Sequence, residues 1–135
     1  MKNKNIELDI EDLAYNGQAV GHVDGKVTFV RGGLPGERVE ARITKVKKRY
    51  NQAKLLRLIK KSPERIEPVC EHYDYCGGCT WQDLDYERQL QYKGRQVEAC
   101  LKHLGGFENP DIDPIRPSPD TFFYRNKMEF SFHTA

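Results

Sequence analysis

The stretch that decides the fold is QAVGHVDGKVTFVR, residues 18–31. Two runs in it alternate apolar and polar residues, and they flank the pair Asp24-Gly25. Such a pair is a strong β-hairpin signal, because a tight type I′ turn needs positive φ at both of its central residues. We therefore predict two antiparallel strands, near residues 18–23 and 26–31, joined by a two-residue turn.

Similar alternation on both sides of this hairpin extends the β region. It recurs in residues 6–10 and 39–43, and we expect a last strand at about residues 52–59. Closing these five short strands into a barrel removes exposed strand edges, and a chain this short buries little core in an open sheet. The fold class predicted for residues 1–62 is therefore all-β, an OB-like five-stranded barrel.

Residues 63–135 are predicted to form a second, α+β segment with a cysteine loop, one long helix and a terminal strand. The helix is expected from about Asp83 to Leu104, because the glycine pair that follows would end it. Its apolar stripe, which we expect to be buried, consists of Leu90, Val97, Leu101 and Leu104.

The end of the chain has the pattern of a strand. Residues 122–133 alternate with a period of two, which predicts a long amphipathic strand. An antiparallel partner would normally follow such a strand through a short turn. We therefore expect the polypeptide to be a fragment of a longer protein, and the alternative is that this strand pairs with the barrel.

The net charge of +2 hides a strong asymmetry along the chain. Residues 1–62 hold 14 Lys+Arg against 7 Asp+Glu, whereas residues 63–135 hold 8 against 13. A basic half indicates a polyanionic partner, most often nucleic acid, although a solvated basic surface is the alternative. The sequence has no apolar run of the roughly 20 residues that span a bilayer and no secretory signal, so we expect a cytoplasmic protein with reduced thiols.

A basic run with an aromatic residue lies between two predicted barrel strands. It comprises Lys45, Lys47, Lys48, Arg49 and Tyr50. Small barrels of this type hold RNA on strand faces and adjacent loops. The cations would contact phosphate and the tyrosine could stack on a base, whereas the plain alternative is a solvated hairpin tip.

Three cysteines lie close together in the motif Cys70-x5-Cys76-Gly77-Gly78-Cys79. Thiolates at this spacing can converge on one metal centre, and the glycines let backbone N–H groups point at sulfur. Iron–sulfur clusters and zinc both need a fourth ligand, for which the chain offers Cys100, His72 and His103. Because Cys100 lies on the predicted helix as a small apolar residue would, we expect the fourth ligand beyond Ala135. A set of buried free thiols is the alternative for the whole motif.

Three features of the sequence together resemble one protein family. Residues 17–21 and 29–37, GQAVG and FVRGGLPGE, resemble a TRAM domain, an RNA-binding barrel. The cysteine motif resembles the cluster motif of bacterial RNA uracil-5-methyltransferases, and residues 123–130, FYRNKMEF, resemble the strand that opens their central domain. The resemblance covers essentially the whole chain. Its cysteine and Tyr-Arg-Asn-Lys motifs in this order are specific, whereas other RNA-modifying enzymes also carry a TRAM barrel.

The resemblance implies an S-adenosylmethionine-dependent enzyme that methylates C5 of a flipped uracil, with 23S ribosomal RNA as substrate. It implies a [4Fe–4S] cluster held by Cys70, Cys76 and Cys79, with a fourth cysteine well downstream. Arg125 and Lys127 of the strand motif join the predicted RNA-binding residues.

The chain departs from this family pattern because it lacks the fourth ligand, the cofactor-binding domain, the nucleophile and the base. The sequence also contains no G-x-G-x-x-G loop. We therefore expect the 135-residue chain to bind RNA but to be inactive as a methyltransferase on its own. The competing interpretation is a free-standing zinc-binding RNA module with Cys70, Cys76, Cys79 and Cys100 as ligands.

Overall fold

The computed structural model of the chain describes residues 2–127 and 129. These residues form one sheet and two helices. The strands are β1 (Asn5–Asp9), β2 (Asp12–Leu13), β3 (Ala19–Val23), β4 (Lys26–Arg31), β5 (Arg38–Val46) and β6 (Tyr50–Lys60). The helices are α1 (Tyr73–Cys76) and α2 (Tyr86–His103).

The hairpin predicted from Asp24-Gly25 is confirmed. Strands β3 and β4 pair antiparallel, with Val23 opposite Lys26 at the turn. Both central residues have positive φ, 52° at Asp24 and 73° at Gly25, as a type I′ turn requires. The strongest local signal of the sequence therefore specifies this turn and the pairing of the two strands that it joins.

The sheet has the strand order β1-β5-β6-β4-β3-β2, in which β4 and β6 are parallel and all other pairs are antiparallel. As a ladder it is open, but its end strands β1 and β2 are separated in the chain only by Ile10 and Glu11. One bent segment thus pairs with β5 through its first half and with β3 through its second half. The predicted five-stranded OB-like fold is confirmed, and the count becomes six because the first strand bends.

The bend depends on a close approach of two backbones at Gly21. A Cβ at this position would lie 2.3 Å from the carbonyl oxygen of Asp9. Next to it, the N–H of Glu11 donates to the carbonyl of Val20 at 2.8 Å. Glycine is therefore required here because β3 crosses directly over the turn between the two halves of the first strand.

The buried core joins the barrel to the start of the second segment. Inward-facing barrel residues Val30, Val39 and Ala41 are fully buried, and so is Leu84 from the loop before α2. Tyr92 of α2 is 8% exposed and belongs to the same cluster. The segment that follows residue 62 thus packs directly on the barrel, although the predicted domain boundary itself stays a prediction.

Helix α2 begins later than predicted and buries a different face. Asp85 caps it by accepting hydrogen bonds from the N–H groups of Glu87 and Arg88. The predicted buried stripe is wrong, since Val97 is 48% and Leu104 85% exposed. The helix instead contacts the barrel through polar side chains and one tyrosine, a face that apolar periodicity does not reveal.

The predicted terminal strand is not formed in the part of it that the structure describes. Residues 121–127 are bends and irregular backbone, and they pair with no barrel strand. A strand needs a neighbour to satisfy its backbone N–H and C=O groups, and the described residues supply none here. The remainder of that prediction, at Met128 and residues 130–135, falls outside the described residues.

No helix within the described part of the chain is long and apolar enough to cross a membrane.

Candidate RNA interface and cysteine segment

The basic run forms the tip of the β5–β6 hairpin. Strand β5 ends at Val46 and β6 starts at Tyr50, so residues 47–49 make the turn. The N–H of Lys47 donates to the carbonyl of Tyr50 at 2.9 Å, and the Nζ of Lys26 donates to the carbonyl of Lys47. Lys26 therefore adds a further cation next to the tip.

The cations of this tip point to solvent. The side chains of Lys45, Lys47, Lys48 and Arg49 are exposed, and no ion pair within the described residues involves them. Charges in this state are available to an external anion, because no carboxylate in the described part of the chain pairs with them. The structure thus brings together five of the seven predicted RNA-binding residues, with Tyr50 at the base of the tip.

An aromatic groove of about 350 Å³ lies beside Tyr50. The rings of Phe29 and Tyr50 meet edge to face, with centroids 5.5 Å apart. The opposite wall is the loop between β2 and β3, residues 14–18, which contributes Tyr15, a side chain 84% exposed. Gln52 completes the lining. Aromatic faces next to unpaired cations are the arrangement that proteins use to bind single-stranded nucleic acid.

Sequence reasoning missed three parts of this surface: Tyr15, Phe29 and Lys26. Tyr15 precedes the turn residues Asn16-Gly17, and an aromatic residue in such a turn was the available signal. Phe29 reads as an ordinary strand residue, so only the pairing of β4 with β6 shows that it stands beside Tyr50.

The other two predicted RNA-binding residues lie away from the hairpin tip. A Cβ on Gly78 would lie 3.9 Å from the Nη1 of Arg125, which places this arginine against the cysteine segment, defined as residues 63–85. Lys127 is exposed and pairs with Glu129, with 2.6 Å between its Nζ and the carboxylate oxygen. Arg125 therefore lies beside Gly78, and the charge of Lys127 is paired with a carboxylate.

The three motif cysteines, Cys70, Cys76 and Cys79, are exposed free thiols. Cys76 ends the single turn of α1, and Gly77 follows it with φ of 70°. Gln82 links the other two, because its Oε1 accepts from the N–H of Cys70 at 2.6 Å and its Nε2 lies 3.6 Å from the Sγ of Cys79.

The donor set of this segment fits an iron–sulfur cluster or zinc by its chemistry, since three thiols on a glycine-containing loop are ligands that both prefer. The described side chains are not gathered around a common centre: no group of three or more His, Cys, Asp or Glu residues among them could hold a metal ion. Cys100 is partly buried on α2, where it lines a second groove of about 310 Å³ with Leu13 and Tyr92. The ligand assignment therefore stays a prediction.

A buried ion network fastens the cysteine segment to the barrel. Arg65 donates to both carboxylate oxygens of Glu37, at 2.6 and 2.9 Å, and to Asp83 at 2.5 Å. The hydroxyl of Tyr73, in α1, donates to the other oxygen of Asp83 at 2.6 Å. Burial raises the pKa of Tyr73 above its ordinary value, and the hydrogen bond to Asp83 raises it further. Burial alone would lower the pKa of Arg65, but its hydrogen bonds and the charges of both carboxylates outweigh that effect and raise it.

A known domain family matches the barrel. The TRAM domain family matches residues 1–56, which include all of β1 to β5 and the basic tip. The barrel is similar to a TRAM domain. Its Gly17–Gly21 and Phe29–Glu37 motifs are the stretches that resembled this family in the sequence.

Relatives of the whole chain are named RNA methyltransferases. The chain is 47% identical over 128 residues to an uncharacterized RNA methyltransferase of Chlorobaculum tepidum, a match that covers 93% of the chain and 26% of the relative. Relatives with the same description in Nitratidesulfovibrio vulgaris and Bacteroides thetaiotaomicron are 41% and 43% identical, over 96% and 89% of the chain and 28% and 26% of their own lengths. The chain thus spans about a quarter of the relatives that it matches, consistent with the N-terminal part of an RNA methyltransferase, as predicted.

Proposed function

We propose that this TRAM domain binds single-stranded RNA for an S-adenosylmethionine-dependent RNA (uracil-5-)-methyltransferase that acts on 23S ribosomal RNA. The observation that carries the proposal is the unpaired basic tip, Lys45 to Arg49, beside the aromatic groove of Phe29 and Tyr50. Phosphates would bind the cations and a base would stack in the groove. Binding of this kind holds substrate RNA without performing chemistry on it.

The proposed activity of the whole protein rests on the names of relatives and on motif resemblance. The relatives' names support methyl transfer to RNA, while the uracil target, the methyl donor and the ribosomal substrate come from the motif resemblance. The 135 residues hold no cofactor loop by sequence, so we infer that they supply RNA affinity and no methyl transfer on their own. Transfer of labelled methyl from S-adenosylmethionine to ribosomal RNA by the purified chain, above background, would contradict this.

The cysteine segment completes the proposal. Cys70, Cys76 and Cys79 would hold a [4Fe–4S] cluster, which supplies a rigid, electron-accepting inorganic centre when bound. Their exposure fits a site that a further ligand can reach. Iron and sulfide analysis after anaerobic reconstitution tests it: Cys76→Ser should abolish iron binding, and Cys100→Ser should leave it unchanged. Loss of metal in Cys100→Ser, with stoichiometric zinc in the wild type, would instead favour the zinc module.

RNA binding is tested with a matched pair of triple variants. We expect Lys47→Ala, Lys48→Ala and Arg49→Ala together to weaken the binding of a labelled single-stranded oligonucleotide at least tenfold. The control removes three exposed lysines from β6 and its end, namely Lys54, Lys60 and Lys61, and so changes the net charge equally. Equal losses in both variants would mean that the protein attracts RNA through its overall charge and not through this tip.

A further inference from the structure

The loop that forms one wall of the aromatic groove is held from behind by the cysteine segment and α2. Residues 14–18 contribute Ala14, Tyr15, Asn16 and Gln18 to the lining of the groove. On the other side, the Nε1 of Trp81 donates to the carbonyl of Gly17 at 3.3 Å. The same loop therefore faces the proposed RNA site on one side and the cysteine segment on the other.

The contact at Gly17 leaves no free space. A Cβ on this residue would lie 2.2 Å from the Cγ2 of Thr80 and 3.0 Å from the Nε1 of Trp81. Gly17 also has φ of 78°, so a side chain would be strained here as well as crowded. The last part of the loop is thus pressed directly against residues 80 and 81.

The beginning of the loop has a second anchor. The Nε2 of Gln96, on α2, donates to the carbonyls of Leu13 and Ala14, at 3.1 Å each. Within the loop, Asn16 and Gln18 bond to each other but to neither anchor. Two side chains from the second segment, Trp81 and Gln96, therefore hold the two ends of a loop whose middle is exposed.

Trp81 is itself fixed in place by its own neighbours. Its ring packs against the hydrophobic core, and its carbonyl accepts from the Nε2 of Gln89 at 2.9 Å. The carbonyl oxygen of Thr80, one residue earlier, lies 2.8 Å from the hydroxyl oxygen of Tyr73, whose proton is donated to Asp83. The ring that holds the loop is thus attached to the same short segment that carries Cys79.

We propose that Trp81 is a positioning residue for RNA binding, which holds loop 14–18 in the shape that forms the groove wall and so makes RNA affinity depend on the fold of the cysteine segment. The proposal rests on RNA binding by the TRAM domain. Trp81 touches the back of the loop and contacts RNA only through it. Removing Trp81 should leave the basic tip and its phosphate contacts intact while the groove loses a defined wall.

The test compares Trp81→Ala with two other variants in the 135-residue chain. We expect Trp81→Ala to weaken binding of a single-stranded oligonucleotide about tenfold, because a base that stacks in the groove would lose a defined wall. The slope of log affinity against log salt should stay unchanged. Trp81→Phe, which keeps an aromatic ring but loses the N–H that donates to Gly17, should recover only part of the affinity. The control Tyr75→Ala removes an exposed aromatic of the same segment, which contacts His72 and not the loop, and should bind as the wild type does.

A second variant and a spectroscopic signal cover the case in which Trp81→Ala does not fold. Gln96→Leu keeps the bulk of the other anchor but removes its donor, and it should lower affinity with the same unchanged salt slope. Trp81 is the only tryptophan of the chain, so its emission and its quenching by acrylamide report this contact directly and should change when RNA saturates the protein.

The outcomes separate the two proposals. A folded Trp81→Ala or Gln96→Leu variant with wild-type affinity, or tryptophan emission that saturating RNA leaves unaltered, would overturn the positioning role while the tip variants still lose affinity. A wild-type chain that binds no RNA at any salt concentration would overturn the proposed function itself. A loss of affinity accompanied by a shallower salt slope would also contradict positioning, because it would mean that Trp81 supports phosphate contacts.

Discussion

Replacing Arg65 with alanine should remove much of the free energy that holds the cysteine segment on the barrel. This arginine makes three charge-assisted hydrogen bonds, two to Glu37 and one to Asp83. The side chains of Glu37 and Asp83 are 0% and 9% exposed, so Arg65→Ala would leave two carboxylates buried without their cation. Removing one partner from a buried ion pair costs about 3–5 kcal/mol, a large share of a typical stability of about 5–15 kcal/mol.

The assay is urea and thermal unfolding followed by circular dichroism. For a chain of this size, a loss of that magnitude lowers Tm by roughly 10–20 °C. Arg38→Ala is the matched control, because Arg38 pairs with Glu7 and Asp9 on the surface, where all three side chains are about half exposed or more. Such a surface network should be worth about 1 kcal/mol or less.

A second substitution separates buried charge from lost contacts. Glu37 also accepts hydrogen bonds from the backbone N–H groups of Leu34 and Ser62, at 2.8 and 3.3 Å. Glu37→Gln retains an oxygen acceptor but removes the charge, so it should restore part of the stability lost in Arg65→Ala. The view that paired buried charge joins the two segments would be refuted if Arg65→Ala lost no more unfolding free energy than Arg38→Ala. It would also be refuted if adding Glu37→Gln to Arg65→Ala recovered none of that free energy.

Three further predictions concern the pH dependence, the barrel closure and the helix cap. Burial and Asp83 raise the pKa of Tyr73 above its ordinary 10.0, so the free energy that this hydroxyl contributes to folding is complete below pH 10 and is lost as the pH rises through the folded-state pKa. The difference in unfolding free energy between the wild type and Tyr73→Phe, measured in urea, should therefore narrow above pH 10. Gly21→Ala should destabilise the protein by about 1–3 kcal/mol, because the new Cβ would meet a backbone oxygen. Gly94→Ala in α2, where a Cβ has room, should stabilise it by about 0.5–1 kcal/mol. Equal effects of the two variants on thermal unfolding would contradict the crowding at Gly21. Asp85→Ala should cost about 1 kcal/mol of unfolding free energy through the lost cap, and Asp85→Ser should retain most of it.

The barrel strands could be predicted because their signals are local. Asp24-Gly25 specifies its own turn, and alternation over a few residues specifies each strand. The basic tip followed from the same logic, since a charged run between two strands has to lie at a turn. The bend that splits the first strand was not predictable, because it depends on the close approach of Gly21 to Asp9, which are distant in sequence.

The second segment was predicted less well because its contacts are polar and long-range. An apolar stripe on α2 indicated Val97 and Leu104, but the barrel offers α2 only a small surface and receives Tyr92 and Gln96 instead. The contact of Trp81 with Gly17 joins residues 64 positions apart, a separation at which sequence periodicity carries no information. The support of the groove wall by Trp81 could therefore be recognised only in the structure.

The salt dependence of RNA affinity tests the central claim most directly. Binding of a labelled single-stranded oligonucleotide to the wild-type chain should weaken linearly on a plot of log affinity against log salt, with a slope of about −0.7 for each phosphate neutralised. Replacing Lys47, Lys48 and Arg49 with alanine should make this slope shallower by about 2, because three contacts are lost. An affinity that salt does not change, or a slope that is identical in the wild type and the triple variant, would contradict RNA binding through the tip of the barrel.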